Sequence, residues 1–73
     1  MIRLMITQDG YMMNERGVDF GELQSVLTKV ARHGRDQTVL LLCRSDSKHA
    51  QLVRALDLCA KLEMNNLTVV STN

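Results

Sequence analysis

The sequence contains no proline and no tryptophan, and it has only four glycines and two aromatic residues, Tyr11 and Phe20. Because glycine and proline are so scarce, no stretch has the composition of a flexible linker or a low-complexity tail. Apolar residues make up 45% of the 73 residues, which is more than a disordered segment carries. The composition therefore predicts one small folded domain over residues 1–73.

An excess of positive charge is also lacking. Nine Lys and Arg against eight Asp and Glu give a formal net charge of +1, whereas a protein that neutralises several phosphates needs a clear basic excess. We therefore predict no binding to nucleic acid. No apolar run reaches the roughly 18 residues of a membrane-spanning helix, and the N-terminus lacks the pattern of a signal peptide. The sequence thus predicts a water-soluble domain.

Cysteine is limited to Cys43 and Cys59, and their spacing matches no zinc or redox motif. Both lie in apolar patterns, where burial raises the pKa of a thiol and keeps substrates away. A nucleophilic pair with His33 or His49 is therefore disfavoured, and two scattered histidines have no metal-ligand spacing. We predict two buried, unbridged thiols, no catalytic residue, no metal and no cofactor.

The first fifteen residues predict a β-hairpin. Residues 2–8 alternate apolar and polar side chains, as in a half-buried strand. Asp9 and Gly10 follow, a pair typical of tight hairpin turns because the turn requires a positive φ. Residues 11–14 then supply the returning strand.

A first helix is predicted from about residue 20. Asp19 is placed to accept from the Glu22 N–H, and Glu22 is placed to reach back toward Asp19. Gly34 ends the helix, since it can adopt the left-handed conformation that favours glycine. The apolar positions recur every three or four residues and predict one buried face: Phe20, Leu23, Val26, Leu27, Val30 and Ala31.

The second half predicts a strand, a helix and a strand. Residues 38–43 form a continuous apolar run, typical of a strand buried on both faces. Ser47 is the expected cap of a second helix that ends near Leu62 or Glu63. Its predicted apolar positions are Leu52, Val53, Leu56, Cys59 and Ala60. Residues 67–72 form the last strand, parallel to residues 38–43 because a helix separates the two.

The predicted element order is therefore ββαβαβ. Right-handed crossovers give one mixed four-stranded sheet with the order 2-1-3-4, counted along the chain. So short a chain cannot cover two sheet faces with long helices, so both helices are expected on one face. The fold class is α/β in the broad sense, an α+β domain with one open sheet face.

Two regions are candidate binding sites. Arg44, Asp46 and Lys48 follow the carboxyl end of the central strand, where α/β sheets often hold ligands. The loop lacks glycine-rich phosphate spacing, which favours a solvated loop. The last strand carries neither proline nor charge, so its edge is open to another extended chain. The residues predicted to bind a partner there are Leu67, Val69 and Ser71.

A strand ending in Arg-Ser-Asp leads into a helix with Leu52-Val53 and Leu56-Asp57, followed by a final strand. These segments, residues 39–46, 48–58 and 67–72, resemble the C-terminal periplasmic domain of the ExbD/TolR biopolymer-transport family. In that family a strand ending in Arg-Ala-Asp precedes a helix with Val-Val and Met-Asp, and a Val-x-Leu-Val-Thr strand follows.

The first half of the chain fits the same pattern. Residues 2–6, Asp9-Gly10, Met13-Asn14, Val18 and Leu23 match the family's first strand, Asp-Gly turn, Leu-Asn-Gly, Val and Leu. The chain departs from the family elsewhere. His49-Ala50 stands where Tyr-Gly is usual, about two residues are missing between Asp46 and Lys48, and Glu63 replaces the glycine that normally ends the second helix.

The resemblance implies a non-enzymatic role. The family's N-terminal transmembrane helix, with its proton-accepting Asp, has no counterpart in this sequence, so the chain would correspond to the soluble periplasmic domain of an inner-membrane protein. It would act as a homodimer within a motor driven by the proton-motive force. Implied partners are an ExbB/TolQ-like channel, a TonB/TolA-like protein and peptidoglycan.

The alternative interpretation is a small cytoplasmic ligand-binding or regulatory α/β domain that uses the loop Arg44 to Lys48. The coding sequence upstream of Met1 distinguishes the two. An apolar span of about 20 residues with one Asp supports the motor, and a gene that starts at Met1 supports the alternative.

Overall fold

The fold is given by a computed structural model that describes residues 1–34 and 36–72. Within these ranges, two helices accompany one mixed sheet of five strands. The elements in chain order are β1 (Ile2–Ile6), β2 (Tyr11–Met13), β3 (Arg16–Val18), α1 (Phe20–His33), β4 (Val39–Arg44), α2 (His49–Lys61) and β5 (Leu67–Thr72). No helix within the described ranges is both long and apolar enough to cross a bilayer.

The strands lie in the order β3-β2-β1-β4-β5. β1 pairs antiparallel with β2 and parallel with β4, and β5 pairs parallel with β4. The α+β fold class and the mixed sheet are thus confirmed. The predicted 2-1-3-4 arrangement appears as β2-β1-β4-β5, because each parallel neighbour is reached through one helix.

The prediction of four strands is wrong, because β3 adds a fifth at the outer edge of β2. Met13 pairs with Arg16 across a two-residue turn, and β2 ends one residue before the predicted Asn14. Both turn residues, Asn14 and Glu15, have positive φ, 53° and 64°, the geometry of a type I′ hairpin turn. The sequence concealed this turn because glutamate occupies the position where glycine is usual.

The core lies on one face of the sheet. Inward-facing residues of the strands alternate with exposed or half-buried ones, so Leu4 and Ile6 of β1 are fully buried while Met5 is not. β4 contributes Val39, Leu41 and Cys43 in the same way. Both helices contribute to this one cluster, which confirms that they cover a single face.

Helix α1 matches its predicted start, end and face. The Asp19 carboxylate accepts from the Glu22 N–H at 2.7 Å, while the Glu22 carboxylate binds the Arg16 guanidinium at 2.8 Å instead of reaching back. The Gly34 N–H donates to the Val30 carbonyl at 3.1 Å. Gly34 has an extended φ of 169° and not the left-handed value expected for it.

Helix α2 differs from the prediction at its start and on its face. Ser47 does not cap it, because the Ser47 hydroxyl donates to the Arg44 carbonyl at 2.7 Å and Lys48 occupies the N-cap. The predicted core positions Val53 and Ala60 are exposed. Leu52 and Leu56 are half-buried, and the fully packed side of the helix consists of Ala55, Leu58 and Cys59. The helix is therefore rotated relative to the predicted stripe.

The end of α2 forms a Schellman motif in which glutamate replaces glycine. Glu63 has a φ of 59°, the left-handed value for the residue after a helix cap. The Met64 N–H donates to the Cys59 carbonyl at 2.9 Å, and the Glu63 N–H donates to the Ala60 carbonyl at 3.1 Å. Met64 is fully buried, and its burial supports the chain reversal into β5.

Candidate interaction surfaces

Strand β5 is the least covered element of the sheet. Val69 on the helix side and Val70 on the opposite side are 48% and 39% exposed. Thr68 and Ser71 are also exposed, and Leu67 is half-buried. An uncharged strand with exposed valines on both faces and one open edge is a site where another chain can bind.

The hydrogen-bond register shows which backbone groups of β5 remain unpaired by β4. The Val39 N–H donates to the Asn66 carbonyl at 2.9 Å, and Val39 lies opposite Leu67. In a parallel ladder, such a residue bonds to the two neighbours of its partner and not to the partner itself. Bonds to β4 therefore involve alternate residues of β5, starting at Asn66. The intervening residues direct their N–H and C=O groups to the free edge: Leu67, Val69 and Ser71.

The backbone N–H and C=O groups of the three predicted edge residues thus all point away from β4, toward the free edge of the sheet. The opposite edge of the sheet differs, since β3 has only three residues. An exposed ion pair between Arg16 and Glu22 also borders β3. Short edge strands and charged side chains resist strand addition.

The second candidate site is the loop after β4. The Arg44 guanidinium lies 3.4 Å from the Asp46 carboxylate, and both side chains are about half exposed. The Ser47 N–H also donates to the Arg44 carbonyl, at 3.0 Å. Lys48 is exposed and serves as the N-cap of α2. Two of the three charges of the loop, Arg44 and Asp46, thus pair with each other. No group of three metal-ligating side chains occurs in residues 1–34 and 36–72.

A cluster around Gln51 was not predicted from the sequence. When its amide is oriented with the nitrogen toward the Thr7 carbonyl, the Gln51 side chain donates to that carbonyl at 2.6 Å, and its oxygen accepts from the Gly10 N–H at 3.2 Å. The buried Tyr11 hydroxyl donates to the Gln51 carbonyl at 2.9 Å. These bonds connect the start of α2 to the β1–β2 turn. Thr7 closes that turn from the other side, because its N–H donates to the Gly10 carbonyl at 2.9 Å.

Arg54 extends this cluster toward α1. Its guanidinium lies 4.0 Å from the centroid of the Phe20 ring, and the Phe20 and Tyr11 rings are 6.1 Å apart. Burial raises the pKa of Tyr11, and the nearby Arg54 charge partly opposes that rise. The arrangement holds α2 against the hairpin and the start of α1, so we assign it a structural role.

Both cysteines are free and buried, as the prediction of buried thiols requires. Burial raises the pKa of the Cys43 and Cys59 thiols. A thiol with a raised pKa is a poor nucleophile at neutral pH, so neither residue has the setting of a catalytic cysteine.

Stability is expected to fall in mild alkali because of Cys59. Its thiol keeps its proton in the folded state and ionises more readily when unfolded, so the stabilisation is complete below the unfolded pKa of about 8.5 and declines as pH rises above it. Urea denaturation at pH 7–10 measures this, with Cys59→Ala as the comparison. The variant should lose less stability between pH 8 and 10 than the wild type, and equal losses would contradict the prediction.

A scan against models of protein families finds no match, and a search of curated proteins also finds none.

Proposed function

We propose that the chain is an interaction domain that acts by adding an extended strand to β5, as part of an envelope motor similar to ExbD/TolR. The observation that carries the proposal is the exposure of β5 on both faces and on its free edge. Burying Val69 and Val70 would be favourable, and the outward N–H and C=O groups of Leu67, Val69 and Ser71 would gain partners.

The added strand would come from a second copy or from a TonB/TolA-like protein. The motor assignment is supported by the sequence resemblance, and the element order agrees with the segments that carry it. In this proposal the domain does no chemistry. It transmits force or gates an ExbB/TolQ-like channel through protein contacts from the periplasmic side of the inner membrane. Binding to peptidoglycan is a further part of the proposal.

Val69→Pro tests the edge. The Val69 N–H points away from β4, so proline at this position removes a donor from the free edge and leaves the ladder to β4 intact. Folding should persist, while concentration-dependent association and binding of a soluble TonB- or TolA-like domain should fall at least about tenfold. Sedimentation velocity and NMR titration measure both quantities.

Val70→Pro is the matched control. Its N–H belongs to the ladder with β4, so this variant should be destabilised by about 3 kcal/mol or more. If Val69→Pro folds and associates as the wild type does, β5 is not the interface. If Val69→Pro unfolds like Val70→Pro, the assigned hydrogen-bond register is wrong.

A further inference from the structure

The face of the sheet opposite the helices carries a row of apolar side chains. Met12, Met5, Leu42 and Val70 lie side by side on β2, β1, β4 and β5, because each is the register partner of the next. Gly17 of β3 continues the row beyond Met12. A concavity of about 520 Å³ lies over it, lined by Arg3, Met5, Met12, Asn14, Glu15 and Leu42.

The sequence of β4 is that of a strand covered on both faces. Its apolar run includes Leu40 and Leu42 on the bare face, yet both are only half-buried. Parallel strands are normally buried on both faces. The mismatch between the composition of β4 and its exposure indicates that another surface covers this face.

Two opposite charges identify that surface. Arg3 and Glu15 are exposed, line the concavity and have no ion-pair partner among the described residues of their own chain. Arg3 lies on β1, and because Leu4 pairs antiparallel with Met13, the Asn14 that follows Met13 is level with Arg3 and Glu15 is the next residue of the turn. A charge that becomes covered requires a partner of opposite sign. A second copy of this face, turned through a two-fold axis, would bring its Glu15 to Arg3 and its Arg3 to Glu15, and so would supply both partners.

The row is also self-complementary in size. Consider two copies stacked face to face and related by a two-fold axis that runs along the strands, midway between β1 and β2. Met5 of each copy then lies over Met12 of the other. The same two-fold axis places Leu42 of each copy over Gly17 of the other. Apart from Gly17 itself and its two chain neighbours, no atom of the described residues lies within 4 Å of the position where a Cβ of Gly17 would stand, so the incoming leucine finds open space. Methionine side chains adapt readily to such contacts.

We propose that this bare face binds the same face of a second copy, with Arg3 of each copy paired to Glu15 of the other. The two sheets would stack about 10 Å apart with their strands roughly aligned. This interface is separate from the β5 edge and does not depend on the proposed motor function. A chain that uses both contacts forms species larger than a dimer, whereas Val69→Pro retains only the face contact and stops at the dimer.

Charge reversal tests the pairing by sedimentation of the full chain, in wild-type and Val69→Pro backgrounds. Arg3→Glu and Glu15→Arg should each weaken the dimer about tenfold, since each removes two pairs and creates like-charge contacts. Their equimolar mixture, and the variant that carries both changes, should recover wild-type affinity. Arg16→Glu at the β3 edge is the control and should leave the affinity unchanged.

Methionine methyl NMR locates the contact. On dilution, the signals of Met5 and Met12 should shift, while those of Met13 and Met64, buried beneath the helices, should stay fixed. The proposal is overturned if the chain stays monomeric at millimolar concentration in both backgrounds. It is also overturned if reversed charges fail to rescue each other, or if dilution leaves Met5 and Met12 unchanged.

Discussion

Leu41→Ala is expected to lower the free energy of unfolding by about 2–5 kcal/mol. Leu41 lies at the centre of β4, is fully buried and faces the helices. Truncation removes its transfer free energy and leaves a cavity. A chain of this size has a total stability of only about 4–11 kcal/mol, so the loss would remove a large fraction of the stability.

Leu42→Ala is the matched control for Leu41→Ala. The two leucines are adjacent on one strand, but Leu42 faces the bare side and is half-buried. Its truncation should cost less than about 1.5 kcal/mol when measured at a protein concentration low enough to prevent association. Chemical denaturation followed by circular dichroism compares the two variants. Equal losses would mean that the sheet does not have one covered and one open face.

Leu58→Ala is expected to have the second large effect, again about 2–5 kcal/mol. Leu58 is buried between Ala55 and Cys59 on the packed side of α2. Val53→Ala on the same helix should change stability by less than about 0.5 kcal/mol, because Val53 is 48% exposed and alanine favours the helix.

Leu56→Ala should fall between these two variants, since Leu56 is half-buried beside the core. Denaturant midpoints with unchanged slopes establish the order. If Val53→Ala or Leu56→Ala costs more than Leu58→Ala, the rotation of α2 described above is wrong and the stripe predicted from the sequence is right.

How much of the fold the sequence reveals depends on whether the relevant signal is local. Helix α1 was predicted with its cap and its buried face, because Asp19, Glu22 and the apolar repeat lie within one another's reach along the chain. The buried face of α2 was predicted wrongly. Its apolar residues are spread around much of the helix, so packing against the sheet selected Leu58 and left Val53 in solvent.

The candidate surfaces divide in the same way. The unprotected edge of β5 was visible in the sequence, since an uncharged strand without proline is a local property. The row formed by Met12, Met5, Leu42 and Val70 was not visible, because it is assembled from four strands whose register only the folded sheet sets.

The sequence by itself determined the two helices, the strands β1, β2, β4 and β5 and the parallel crossovers, since periodicity, capping, turn residues and connection length are encoded in neighbouring residues. Only the tertiary structure decided whether β3 forms, because three residues with one apolar side chain become a strand only when β2 is beside them. It also decided the role of Gln51, which hydrogen-bonds through its side-chain amide and its backbone carbonyl to the β1–β2 hairpin, some 40 residues earlier in the chain. Such contacts depend on the docking of α2 against the hairpin, a long-range event with no counterpart in local sequence pattern.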